Sequence, residues 1–298
     1  MQIYATIAEL VAAVTAEDVS LSELMIRQEV ANSGSSRADI WAAMEHNLDA
    51  MAAAVKRGST GAGAFSKTGL TGGEAIKLKH YRATHQSLSG DTMLAAVQNA
   101  IATNEVNAAM GVVCATPTAG ASGTLPGVLF MLQERLKMSR EQMVRFLFTA
   151  GAFGMVIANN AMIAGATGGC QAEVGSASGM AAAAAVEIAG GTPAQSAEAL
   201  AMALSNLLGL VCDPIAGLVE LPCVKRNAIG ATNALVAADM ALAGLTNKIP
   251  ADEVVGAMKK IGEDMPQSLR ETGQGGLAAT PTGIKMKLRI FGQDRNLE

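Results

Sequence analysis

Apolar positions recur with a helical period along most of the chain. In "SSRADIWAAMEHNLDAMAAAVKRG", Ile40, Met44, Leu48 and Met51 follow one another at steps of four, four and three, which places them on one helix face. Ser36 and Asp39 stand at capping-box spacing before them, and Gly58 is expected to close the helix. "MSREQMVRFLFTAG" repeats the device with Ser139 and Gln142. "GTPAQSAEALAMALSNLLG" carries Thr192 as N-cap, Pro193 at the first helical position, Gln195 at the third and Gly209 past the end. "NAIGATNALVAADMALAG" and "PADEVVGAMKKIGEDM" predict two further helices. No run of β-branched and aromatic residues alternates with period two, and no hairpin dipeptide separates such runs. The expected fold is all-α: a compact bundle of packed helices with long Gly/Ser/Thr/Pro-rich loops. Residues 1–35 are expected to form an N-terminal helical segment and residues 36–298 an all-α catalytic domain. The end, "RETGQGGLAATPTGIKMKLRIFGQDRNLE", is expected to be irregular and to pack back on the body.

Composition sharpens this picture. Of the 298 residues, half are hydrophobic and only 3% aromatic, so alanine and glycine let helices approach closely in place of a bulky aromatic core. The net charge is −4 and no basic block occurs, which argues against a nucleic-acid partner. The N-terminus lacks a basic n-region and reads as no signal peptide. Between Phe146 and Cys170 no residue is charged, but Asn159, Asn160 and several glycines dilute the run. It is expected to be a buried helix ending near the asparagines, not a membrane span. Four cysteines in a chain of this length form no disulfide scaffold, so a reducing cytoplasm is the expected setting.

The loops are less ordinary than the helices. "SKTGLTGGEA", "CATPTAGASGTLPG", "GATGGCQAEVGSASG" and "CDPIAGLVELPCVKRN" are long for a compact helical domain, and such loops are usually functional. All four cysteines lie in them: Cys114, Cys170, Cys212 and Cys223. No C-x-x-C occurs, which excludes a zinc ribbon or a thioredoxin motif. Spacing alone leaves two readings open, a metal or cluster site and inert buried thiols.

The run "GGCQAEVGSASGMAAAAA", preceded by "PTAGASGTLPG" and followed by "CDPIAGLVELPCVKRNAIGATNA", resembles the iron–sulfur-dependent L-serine dehydratases, in particular the α-chain of the two-chain bacterial type. The resemblance runs from about Ser33 to the C-terminus. It implies L-serine dehydration to pyruvate and ammonia and a [4Fe–4S] cluster held by Cys170, Cys212 and Cys223. Cys114 corresponds to none of the three. Two-chain members carry a regulatory and substrate-contacting region on a separate β-chain, so the resemblance also implies a β-chain partner and a hetero-oligomer. With three protein thiolates, one iron of the cubane keeps an open position and can act as a Lewis acid.

The remaining site residues are candidates of different kinds. "KTGLTGGEA" and "TPTAGASGTLPG" each lead into a helix, whose free N–H groups favour anions. Thr71, Gly72, Gly73, Thr118 and Ser122 are therefore candidates to cradle the substrate carboxylate, with ordinary turn and cap chemistry as the other reading. Lys67 either neutralises that carboxylate or is a surface lysine. His80 and His85 lie near the first loop, and His85 is the candidate base among the histidines; His46 sits on a polar helix side. Glu173 is a base, a support for the cluster or a helix-cap carboxylate. Arg226 and Asn227 follow Cys223 by three and four positions, so one helical turn aims them at the same site. A related β-elimination, the release of sulfide from L-cysteine, and a metal-free helical scaffold are the competing readings.

Overall fold

A computed structural model of the chain describes residues 4–292; the first three and last six residues of the expected segments lie outside it. The helices are α1 Ile7–Glu17, α2 Leu21–Ser33, α3 Arg37–Gly58, α4 Glu74–Thr84, α5 Gly90–Ala108, α6 Thr124–Leu136 and α7 Arg140–Asn160. The single turn α8 Gly165–Gly168 follows, then a wide π-helical turn, Gln171–Gly175, which runs into α9 Ser176–Ile188. The chain continues through α10 Pro193–Ser205, α11 Cys223–Leu242, α12 Ala251–Asp264 and α13 Pro281–Phe291. Among the described residues, the only β-pairings are two isolated bridges, Phe65 with Gly72 and Cys212 with Arg270. The fold is all-α.

The caps are where the sequence places them. Ser139 with Gln142 and Thr192 with Gln195 form reciprocal capping boxes, and Ser36 accepts from the Asp39 N–H. The uncharged stretch after Phe146 is the buried second half of α7, which ends at Asn160. No described helix is long and apolar enough to cross a membrane. Three expectations need correction. Gly58 does not close α3 in a left-handed conformation; it lies inside the last turn, against the Ala102 backbone of α5, where a Cβ would collide. Helix α11 begins at Cys223 and not near Asn227. The C-terminal end is not irregular throughout, because Thr280 caps α13 and Pro281 occupies its first turn, the same signal that starts α10.

Helix α9 is the axis of the molecule. Every residue from Ser176 to Val186 is buried, as expected for a helix that is alanine-rich on all sides. Helices α6, α7, α10 and α11 pack around it, and α5 lies across α6 and α11. The small side chains leave backbone polar groups within reach of core hydroxyls. Ser178 donates to the Gly230 carbonyl at 2.8 Å and Ser196 to the Ala183 carbonyl at 3.0 Å. The described part of the N-terminal segment, residues 4–35, holds α1 and α2, and Ile7, Leu10, Leu21 and Ile26 join the same hydrophobic core as α7, α9 and α10.

Two buried carboxylates tie helix starts to this core. Glu187, near the end of α9, accepts from the Thr149 hydroxyl and from the Ser22 N–H at the start of α2. Glu105 of α5 accepts from the Glu74 N–H at 2.6 Å and the Ala75 N–H at 3.4 Å at the start of α4. Burial is the largest influence on both and raises both pKa values, against the hydrogen bonds that lower them. A raised folded-state pKa means that the folded chain holds the proton where the unfolded chain has released it. Stability therefore falls as pH rises above about 4.5 towards neutrality. The metal-free chain is expected to melt at a higher temperature near pH 5.5 than near pH 8. Glu187→Gln and Glu105→Gln should each flatten that slope, and thermal melts across the range check it.

Candidate functional site

Five loop segments converge at one end of α9 and α11. The segment 64–73 is closed on itself by the Ser66 N–H to the Thr71 carbonyl at 3.0 Å and the Gly73 N–H to the Ala64 carbonyl at 3.1 Å. It is tied to the fourth loop by Thr68, whose hydroxyl donates to Glu220 at 2.7 Å. The segment 114–123 is held from below by asparagines. Asn227, fully buried on the first turn of α11, accepts from the Gly123 and Thr124 N–H groups at 2.9 and 3.0 Å. Its amide donates to the carbonyls of Gly120 and Cys223 at 2.7 and 3.0 Å. The loop around Cys212 pairs with a C-terminal strap: the Cys212 N–H donates to the Leu269 carbonyl and the Glu271 N–H to the Cys212 carbonyl, at 2.8 and 2.7 Å.

This framework brings Cys170, Cys212 and Cys223 into one buried neighbourhood, from three separate segments. Burial pushes the Cys170 thiol up to about 12, Glu173 raises it further, and Arg226 opposes both by charge and by a hydrogen bond. Burial likewise raises Cys212 and Cys223, and for each of them Cys170 is the next largest influence. Cys114 is only half-buried, and its thiol is raised by burial alone. The three buried thiols thus act on one another, and the fourth stands apart.

Two carboxylates join the thiols. Glu173 accepts from the Thr118 hydroxyl at 2.6 Å. Its pKa is raised, first by burial and then by Glu271, against the lowering effect of the Thr118 hydroxyl and the Gly165 N–H. The point where a Cβ on Gly165 would sit lies 2.7 Å from Glu173 Oε2, 2.9 Å from Cys212 Sγ and 3.1 Å from Glu271 Oε2. Gly165 therefore packs directly against all three, and a side chain there would push them apart. Arg226 closes the other side. It pairs with Asp213 at 2.8 Å and donates to the Val211 carbonyl at 2.7 Å, so it braces the Cys212 loop from the helix that Cys223 starts.

The donor set fits a thiophilic polynuclear group. It consists of three thiols and no histidine, and soft thiolate ligands select iron–sulfur clusters and a few soft ions. Deprotonating three thiols at this depth is unfavourable with one arginine alone. A bound cationic cluster would supply the missing positive charge. Among the described residues no three His, Cys, Asp or Glu side chains are arranged to hold a single metal ion.

Residues 16–278 match the family model of the serine dehydratase alpha chain. The chain belongs to that family. It is 62% identical over 289 residues to the probable L-serine dehydratase alpha chain of Bacillus subtilis, covering 97% of this chain and 96% of that protein. It is 42% identical to the L-serine dehydratase alpha chain of Peptoniphilus asaccharolyticus, covering 90% and 92%. The L-serine dehydratase of Escherichia coli is 37% identical over 265 residues; the match takes in 87% of this chain but 58% of that longer protein.

The other sequence candidates of this serine dehydratase alpha-chain member fall into two groups. Thr71, Thr118 and Ser122 lie on the converging loops, and the hydroxyls of Thr71 and Ser122 are buried without a hydrogen-bond partner. Gly72 and Gly73 shape the first loop, but the N–H groups of the helix they lead into are taken by the chain's own Glu105. Asn227 spends its whole amide on the loop and helix backbone described above. Lys67 is exposed beside a cavity of about 520 Å³ that it lines with Thr68, Arg289 and Ile290. His85 is not brought into the group: it is exposed at the end of α4, with its ring stacked on Tyr81 and Nδ1 against Thr84. Sequence reasoning missed Glu271. Its signal was weak, because it lies in the segment expected to be irregular and has no cysteine near it in the chain.

Proposed function

We propose that this chain is the catalytic α-chain of a cytoplasmic L-serine dehydratase that converts L-serine to pyruvate and ammonia. Cys170, Cys212 and Cys223 would hold a [4Fe–4S] cluster, and a β-chain would complete the enzyme as a hetero-oligomer. The observation that carries this reading is the gathering of three buried thiols, Cys170 acting on both Cys212 and Cys223, beside Glu173 and Glu271 in a chain of this family.

When bound, a cubane with one iron free of protein thiolate supplies Lewis-acid polarisation of the serine 3-hydroxyl. The chain's own residues do the rest. Arg226 holds the Cys212 loop against α11 and favours the thiolate form of Cys170. Thr118 fixes Oε1 of Glu173, and Oε2 lies against Gly165 close to Cys212. The raised pKa makes the Glu173 carboxylate a stronger base than an ordinary glutamate, suited to take the α-proton of serine. Loss of that proton and of the 3-hydroxyl gives 2-aminoacrylate. Its imine tautomer adds water and yields pyruvate and ammonia. The unpartnered hydroxyls of Thr71 and Ser122 are offered to the substrate carboxylate, on loops shaped by Gly72 and Gly73. Lys67 at the rim draws the anionic end inwards. Asn227 keeps the second loop in register.

The test is a substrate panel on the α- and β-chains co-purified without oxygen. L-serine should be converted to its 2-oxo acid faster than D-serine, L-threonine (read as 2-oxobutyrate) or L-cysteine, by at least about tenfold in kcat/KM. Faster turnover of L-cysteine, with release of sulfide, would replace this reading with a desulfidase.

A further inference from the structure

We propose that Glu271 is the residue that binds the α-ammonium group of the substrate, and so selects an amino acid over a hydroxy acid of the same shape. The assignment rests on the L-serine dehydratase reading and adds a specificity role to it.

Glu271 is placed with care by the fold. Its backbone adopts φ +63°, a left-handed conformation that is strained for a non-glycine residue. The strap around it holds that conformation from both sides. The Glu271 N–H is bound to the Cys212 carbonyl at 2.7 Å. The preceding Arg270 donates to the Met265 and Glu263 carbonyls, both at 2.7 Å. Downstream, the Leu277 N–H donates to Asp213 at 2.7 Å. The result packs Oε2 of Glu271 against Gly165, beside Glu173 Oε2 and Cys212 Sγ.

The two carboxylates there are not equivalent. Glu173 is buried and already engaged by Thr118. Glu271 is half-buried, and its carboxylate has no hydrogen-bond or ion-pair partner among the described residues. Arg226, the cation nearest the thiols, is committed to Asp213 and Val211. A half-buried carboxylate with no partner of its own, beside the thiols, suits a small cation that arrives with the ligand. L-serine carries one such group, its ammonium. A charge-assisted hydrogen bond of that kind is stronger than a neutral one and absent for a ligand without the nitrogen.

The experiment uses the α/β holoenzyme reconstituted without oxygen, titrated with L-serine and with L-glycerate while its visible spectrum is followed. L-glycerate has the hydroxyl and the carboxylate of serine but no ammonium. The unsubstituted enzyme should bind L-serine at least about tenfold more tightly than L-glycerate. Glu271→Gln should erase most of that preference and raise KM for L-serine about tenfold or more, with a smaller change in kcat. Glu271→Gly should lose the preference too, yet raise Tm of the metal-free chain by about 2 °C, because glycine relieves the left-handed backbone. A preference unchanged in Glu271→Gln overturns the assignment. So does a loss of bound iron in both variants, which would make Glu271 a support of the cluster. If the unsubstituted holoenzyme does not respond to L-serine at all, the underlying dehydratase reading falls, and the assignment with it.

Discussion

Cys170→Ala, Cys212→Ala and Cys223→Ala should each reduce the iron retained by the anaerobically reconstituted chain to near zero, while Cys114→Ala leaves it unchanged. Burial together and the influence of one thiol on the next, not the count of cysteines, single out the three. Each of the three buried thiols is raised by burial, and the Cys212 and Cys223 thiols are raised further by Cys170. Cys114 answers only to its own burial. A cubane left with two protein thiolates has two open irons and loses the geometry of its site, so the expected loss is all-or-none. Iron and acid-labile sulfide per chain, measured after gel filtration without oxygen, check it. Retention of the cluster by any one of the three variants would remove that cysteine from the ligand set. Loss of the cluster in Cys114→Ala would add a fourth.

Asn227→Ala should be the most destabilising polar substitution in the chain. Asn227 is fully buried and satisfies two N–H groups and two carbonyls at the junction of α6, α11 and the 114–123 loop. Removing its amide leaves the Gly123 N–H without a partner, and leaves the Thr124 N–H and the Gly120 carbonyl only their longer bonds, to the Ala121 carbonyl at 3.2 Å and from the Asn104 amide at 3.5 Å. At about 1–3 kcal/mol for a buried unsatisfied group, with two weakened groups beside it, the expected cost is about 2–4 kcal/mol. Asn227→Asp should not rescue it. The aspartate keeps the acceptor for Gly123 and Thr124 but turns a second oxygen towards the carbonyls of Gly120 and Cys223. Thermal or denaturant unfolding of the metal-free chains measures both. A cost below about 1 kcal/mol for the alanine variant would mean that Asn227 is free to serve a ligand.

The sequence carried more of the fold than of the site. Helix starts were legible where a side chain does the capping, as at Ser36, Ser139 and Thr192. The start of α11 was not, because Pro222 precedes it and no side chain caps it. Helix α13 was overlooked although Thr280 and Pro281 repeat the signal of Thr192 and Pro193; the glycine-rich stretch before it pointed to irregular chain. At the site, an anion does meet the start of α4, but it belongs to the chain itself. Glu105 lies some thirty positions away on another helix, and no local pattern announces that pairing. For α6 the same role falls to Asn227, which local spacing had aimed at the substrate. Glu271 was out of reach for a related reason. Its place beside Cys212 depends on a backbone pairing between distant segments, and only the folded chain makes that pairing.

The central claim is that the three thiols form one cluster site with room for L-serine. The most direct measurement is to reconstitute the chain, with its β-chain, in iron and sulfide without oxygen, determine iron content and visible spectrum, and then add L-serine. A brown protein with about four irons per α-chain, whose spectrum shifts with L-serine and not with D-serine, is the predicted result. A protein that stays colourless and free of iron under those conditions would contradict the account and leave the three buried thiols as packing.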